Sequence, residues 1–174
     1  MTRYVAFLRG VNVGGVNLKM ADVARVLEQA GFEHVTTVLA SGNVLLESPR
    51  TAAAVRAAAE QALRDEFGYP AWVLVYDRDT VAAISADYPF EREVDGHHSY
   101  VTFVSDDTVL RELAALAADP GPDERIQPGA GVLYWQVPRS ATLGSAIGKT
   151  MGKARYKSST TTRNLRTLDK VLRA

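Results

Sequence analysis

Three short runs constrain the fold more than any other feature of this chain. "AWVLVY" (71–76), "YVTFV" (100–104) and "VLYWQV" (132–137) are apolar at nearly every position. Successive side chains of a strand point to opposite faces, so a sheet with one face in water would show apolar and polar residues in alternation. These runs do not alternate. They predict sheets covered on both faces, most simply by two halves of the chain packing on one another. A long apolar ligand groove is the second way to cover them.

The first half has a readable order. Residues 3–9 predict a strand. Met20, Val23, Ala24, Leu27 and Ala30 then fall at helical spacing, with Gly31 placed to close the helix. "HVTTVLA" and "NVLLES" predict a hairpin across Ser41, Gly42 and Asn43. Thr51 is placed to cap an Ala-rich helix ending at Gly68, and "AWVLVY" follows as a strand. The order β-α-β-β-α-β is that of the ferredoxin-like plait. In the second half the pattern predicts a short helix at 80–86 and a loop through "DYPFEREVDGHHS". "YVTFV", a helix at 108–118, a short edge strand, "VLYWQV" and two helical stretches complete it. The expected class is α+β, with two ferredoxin-like (α/β plait) subdomains packed together. The expected boundaries are 1–78 and 79–174, the second plait being a modified one with basic C-terminal helices.

A chain of 174 residues without cysteine builds its core without disulfides, and thiolate metal sites and Cys nucleophiles are excluded. No run approaches the 18 or so apolar residues that a membrane span requires, and the apolar stretch before Arg9 is short for a signal peptide. The expected address is the cytoplasm, with no membrane partner. The formal charge of zero hides a division. Residues 148–174 hold eight basic side chains and one acidic one, whereas the first 147 hold 12 basic and 19 acidic. Such a field directs anions toward the C-terminal segment; pairing of that segment with the acidic body is the alternative.

"LRGVNVGGVNLKM" (8–20) invites comparison with phosphate loops. The dinucleotide fingerprint G-x-G-x-x-G fails because Asn12 stands where its second Gly belongs, and the P-loop fails because Val16-Asn17 replaces Lys-Ser/Thr. Gly10, Gly14 and Gly15 permit positive φ, and Asn12 and Asn17 tolerate it. The loop, flanked by Arg9 and Lys19, therefore reads either as an anion nest or as a strand-to-helix turn that needs glycine for shape alone. Together with "SGNVLLES" and "TTRNLRTLDKVL", the block resembles a bacterial family known as domain of unknown function 1697. The resemblance implies two ferredoxin-like subdomains and no assigned activity. Family members usually carry an aromatic residue after Arg-Asn; here Leu165 stands there, so ring stacking at that position is not expected.

The candidate ligand-binding residues are Arg9, Asn12, Gly14, Gly15, Ser41, Asn43, Lys149, Lys153, Lys157, Thr162, Arg163 and Asn164. Thr160–Thr162 are placed to cap a last helix carrying Arg163, Arg166, Lys170 and Arg173 as a cationic stripe opposite Leu165, Leu168, Val171 and Leu172. Ser145, Lys149, Lys153 and Lys157 recur every fourth residue, a second cationic row if that stretch is helical. His97 and His98, beside Asp95, read as a water-facing loop pair, because neighbours on a strand rarely ligate one metal. No metal, no cofactor and no catalytic residue is assigned, and oligomeric state is not legible. Two function classes stay open. One is a protein that binds nucleic acid or a small anionic ligand. The other is an enzyme acting on a phosphorylated or carboxylated metabolite, with Arg9, Asn12, Ser41, Asn43, Lys149 and Arg163-Asn164 meeting in one cleft.

Overall fold

The computed structural model describes residues 1–12, 16–121, 123–141, 146–151 and 153–174. The chain divides into two compact units, Met1–Ala83 with Asp169–Ala174, and Ile84–Leu168. Each unit contains a four-stranded antiparallel sheet packed with helices, the arrangement of a ferredoxin-like subdomain.

In the first unit the elements run β1 (Thr2–Leu8), α1 (Met20–Gln29), β2 (Glu33–Val38), β3 (Asn43–Ser48), α2 (Ala52–Phe67) and β4 (Val73–Asp77). α3 (Arg78–Ala86) follows and carries the chain across the unit boundary. The strand order is β2-β3-β1-β4. Local sequence explains these limits. Thr51 Oγ1 accepts from Ala54 N–H (3.3 Å) at the start of α2, and Gly68 closes it at φ 63°. Val55, Ala59 and Leu63, four residues apart, form the buried stripe of α2. They join Val23 and Leu27 of α1 over Tyr4, Ala6, Leu8, Val44 and Leu46 of the sheet. Burying one such Leu is worth about 1.5–3 kcal/mol against roughly 1 kcal/mol for the cap, so packing holds the helix and the cap sets its start. On the opposite face of the sheet, Val5, Phe7, Leu45 and Leu74 are fully buried as well, as the lack of alternation requires.

The second unit repeats the topology with shorter pieces: β5 (His97–Val104), α4 (Asp107–Ala114) extended by a 3-10 turn (Ala115–Ala118), β6 (Arg125–Gly129) and β7 (Val132–Pro138). A second 3-10 turn (Arg139–Ala141), α5 (Ala146–Met151) and a third 3-10 turn (Ala154–Tyr156) lead to β8 (Thr160–Asn164), from which α6 (Leu165–Arg173) departs. The strand order is β6-β7-β5-β8, the order of the first sheet. Leu113 and Ile147 pack with Leu133, Trp135 and Val137 on one face, while Val101, Phe103, Val132 and Tyr134 are buried on the other.

Three differences from the sequence reading matter. Thr160–Asn164 is a strand, not a helix cap: Thr160 to Asn164 pair with Val104 to Tyr100 of β5. β-branched threonines suit a pleated strand, and the hydroxyls that made this run look like a cap are satisfied inside the sheet, where Thr162 Oγ1 lies 2.8 Å from Thr102 Oγ1. Arg163 consequently leaves the expected helical stripe and is buried at 7% exposure. Third, β5 begins at His97, inside the segment read as loop.

Candidate functional site: a cationic pocket at the sheet end

Within the first unit the Gly/Asn loop and the hairpin turn meet. Asn12 adopts φ 57°; its Oδ1 accepts from Leu18 N–H (3.0 Å), and its Nδ2 donates to Leu18 O (2.9 Å) and Ala40 O (2.7 Å). Its own N–H donates to Val16 O (2.7 Å). Asn43, fully buried, donates to Val38 O (2.8 Å) and Ser41 Oγ (3.0 Å). Gly42, at φ 90°, presses on Leu8 and Val11 so closely that a Cβ there would lie 2.7 Å from Leu8 Cβ. Each of these donors and acceptors is spent on the shape of the turn. Arg9 donates its backbone N–H to Trp72 O (3.0 Å), and burial draws its guanidinium below the ordinary arginine range. Gly14 and Gly15 lie outside the described residues.

The C-terminal candidates scatter. Lys149 is exposed on α5, whereas Lys153 and Lys157 are exposed on either side of the third 3-10 turn. The fourfold spacing is therefore divided between two short pieces and makes no single helical row; Ser145 and Gly152 lie outside the described residues. Arg155 pairs with Glu112, whose carboxylate also accepts from the Tyr156 hydroxyl (3.1 Å). Part of the basic segment thus pairs with the acidic body. Thr162 sits in β8, and the Arg163 guanidinium donates to Thr161 Oγ1 (2.8 Å) and Thr162 O (3.0 Å). Asn164 alone among these candidates lines a cavity described below.

That cavity, of about 230 Å³, opens in the second unit where β5 begins and where β7 and β8 end. Its charged and polar walls are Arg92, Arg139, Arg166, His97, His98 and Asn164, with Glu93 and Asp95 as the acidic members. Several interactions fix this geometry. Arg139 donates its backbone N–H to Gly96 O (2.8 Å) and leaves its guanidinium exposed. Arg92 donates to Ser85 O (2.8 Å) and takes Ser99 Oγ–H on its own carbonyl (3.2 Å), which anchors the loop before β5. Asn164 Oδ1 accepts from Arg166 N–H (2.9 Å) and so caps α6, whose first-turn N–H groups and positive dipole end face back toward this corner. Arg166 makes only a long 3.9 Å approach to Glu93, and both side chains are well exposed. Such a pair is worth little.

His98 reports the field. Burial first, then the positive charges of Arg139 and Arg166, hold its imidazole below the usual histidine range. At neutral pH it is therefore uncharged. His97 Nδ1 lies 3.0 Å from Asp95 O. A carbonyl only accepts, so Nδ1 carries a proton and donates it.

A second cavity of about 500 Å³ adjoins the first and shares Val94 and His97 with it. Its charged walls are Glu91, Asp123, Glu124 and Arg125. Gln136 closes its floor at 3% exposure, donating to Glu91 O (2.8 Å) and Ser99 Oγ (3.0 Å). Among the described residues no group of three or more His, Asp and Glu side chains is arranged to hold a metal ion, and no helix is long and apolar enough to cross a membrane.

Sequence reasoning named Asn164 and missed Arg92, Arg139, Arg166 and the two histidines as cavity residues. Adjacent histidines on a strand do diverge, yet both reach this corner because they are the first two residues of β5, where the cavity wraps the sheet end.

The solved structure of the conserved bacterial protein SP0830 from Streptococcus pneumoniae is similar to this chain, with a TM-score of 0.80 and 22% identity over 99% of this chain and 97% of that one. At that identity the likeness is one of fold. No curated protein shows significant sequence similarity to the chain. Residues 1–134 match the model of the family described as "Protein of unknown function (DUF1697)", and the chain belongs to that family.

Proposed function

We propose that this protein binds a small phosphorylated or otherwise dianionic ligand in the cationic cavity of the second unit. The observation that carries the reading is the convergence of three guanidiniums on one cavity beside the start of α6. Guanidiniums offer paired N–H donors that match phosphate oxygens, and a helix start adds backbone N–H groups and a favourable dipole. The exposed, weakly paired Arg139 and Arg166 supply charge without first having to break a strong ion pair. Nucleic acid is the less favoured ligand, because the lysines that would track a backbone do not share one helix.

Calorimetric titration with inorganic phosphate tests the reading. Wild type is expected to bind saturably, and Arg139→Gln, a change at an exposed side chain, to bind about tenfold more weakly, or about 1.4 kcal/mol. Equal affinity of the two proteins, or no saturable binding by wild type, would contradict it.

A further inference from the structure

The first turn of α6 carries the wrong charge for a helix start. It holds Arg166 and no acidic side chain, although the positive end of the helix dipole favours an anion there. Its cap, Asn164, is neutral, and Glu93 stands 3.9 Å from Arg166 with both side chains exposed. Arg166 and Lys170 are four residues apart, a like-charged spacing that weakens a helix. So short a helix is marginal by itself, and the buried Leu165, Leu168 and Val171 hold it. The far end is matched. Leu172 O, among the last four carbonyls and so without an intrahelical partner, accepts from the Arg78 guanidinium, which puts a cation at the negative end of the dipole.

We propose that α6 is a ligand-responsive element. An anion in the arginine-lined cavity supplies the charge its first turn lacks, firms the whole helix, and so carries binding in the second unit to residues of the first. The inference rests on the anion-binding reading above. Asn164, Leu165 and Arg166 line the cavity, whereas residues 169–173 of the same helix belong to the first unit, and helix formation is cooperative along the chain. α3 crosses the same boundary and links the same two places. At its start Arg78 holds Leu172 O; near its end Ser85 accepts from Arg92 of the cavity wall on its carbonyl (2.8 Å) and hydroxyl (3.3 Å) oxygens. Boundaries between compact units ordinarily fall in flexible linkers. Here both crossings fall inside helices, so a change at one end is not absorbed by slack chain. Linkage makes the effect reciprocal: if the anion steadies the end of α6 held by Arg78, losing that contact weakens the anion.

Hydrogen exchange of the full chain, with and without saturating inorganic phosphate and read by mass spectrometry, tests the proposal. Exchange at 169–173 is expected to slow about fivefold, with β1 of the same unit unchanged. Arg78→Met keeps a helix-forming stem and removes the charge and the donor; it is expected to bind phosphate about fivefold more weakly. At about 0.15 M salt the direct field of Arg78 is largely screened over the roughly 10 Å of helix between Leu172 and Leu165. Wild type that binds phosphate with exchange at 169–173 unaltered overturns the inference and leaves the anion reading standing, as does wild-type affinity in folded Arg78→Met. Slowing that is equal in β1 also overturns it, because α6 is then not the carrier. If wild type fails to bind phosphate, the anion reading fails and this inference falls with it. Circular dichroism establishes whether Arg78→Met folds; if it does not, the wild-type exchange decides.

Discussion

At the residue scale the informative group is His98. Facing it are Arg139 after β7, Arg166 on α6, Arg92, Glu93 and Asp95 from the preceding loop, and its neighbour His97. Its pKa in the folded protein lies below the unfolded value of about 6.5, through burial and then the repulsion of Arg139 and Arg166. The sign follows by linkage: the unfolded chain binds the proton more readily, so this group's contribution to stability is intact above that window and declines as pH falls through it. A bound dianion reverses the local field. It offsets the two arginines, raises the His98 pKa and draws in a proton, so affinity rises as pH falls from about 7 toward 5. Sulfate, whose own charge does not change in that range, is the suitable probe. Titrations should show this rise in wild type and a shallower one in His98→Gln, where His97 alone remains on the cavity wall; a flat wild-type profile would remove His98 from the site.

Elements explain what was legible. The first unit reads well from sequence because its helices carry an apolar stripe, its turns carry Gly42 and Gly68, and its cap carries Thr51. Each is a local signal that the folded chain obeys. β8 was hidden for the opposite reason. "TTTRN" has no apolar residue, and its place in the sheet depends on partners about 60 residues away: Thr102 Oγ1 lies against Thr162 Oγ1 and accepts from Trp135 Nε1–H (2.9 Å). This hydroxyl joins β5, β7 and β8. Thr102→Val keeps the shape and strands a buried indole N–H, so chemical denaturation should show a loss of about 1–3 kcal/mol; a change below about 0.5 kcal/mol would show that the network does not hold the strand. The cavity was hidden likewise. Its walls come from residues 92–99, 139 and 164–166, and only the antiparallel register of β5 with β7 and β8 gathers them.

For the whole molecule, the charge division seen in the sequence resolves into several fates. Arg163 is buried within a strand, Arg155 is paired with Glu112, and Lys149, Lys153 and Lys157 stay exposed on short separate pieces, while Arg166 faces the cavity. The segment's cations are therefore dispersed over separate elements rather than set in one row. The most direct measurement is a crystal structure of the protein grown with tungstate, with the anion located by its anomalous signal. The account predicts one ordered tungstate between Arg139, Arg166 and the start of α6. An ordered tungstate against Lys149, Lys153 and Lys157 with that corner empty would contradict it.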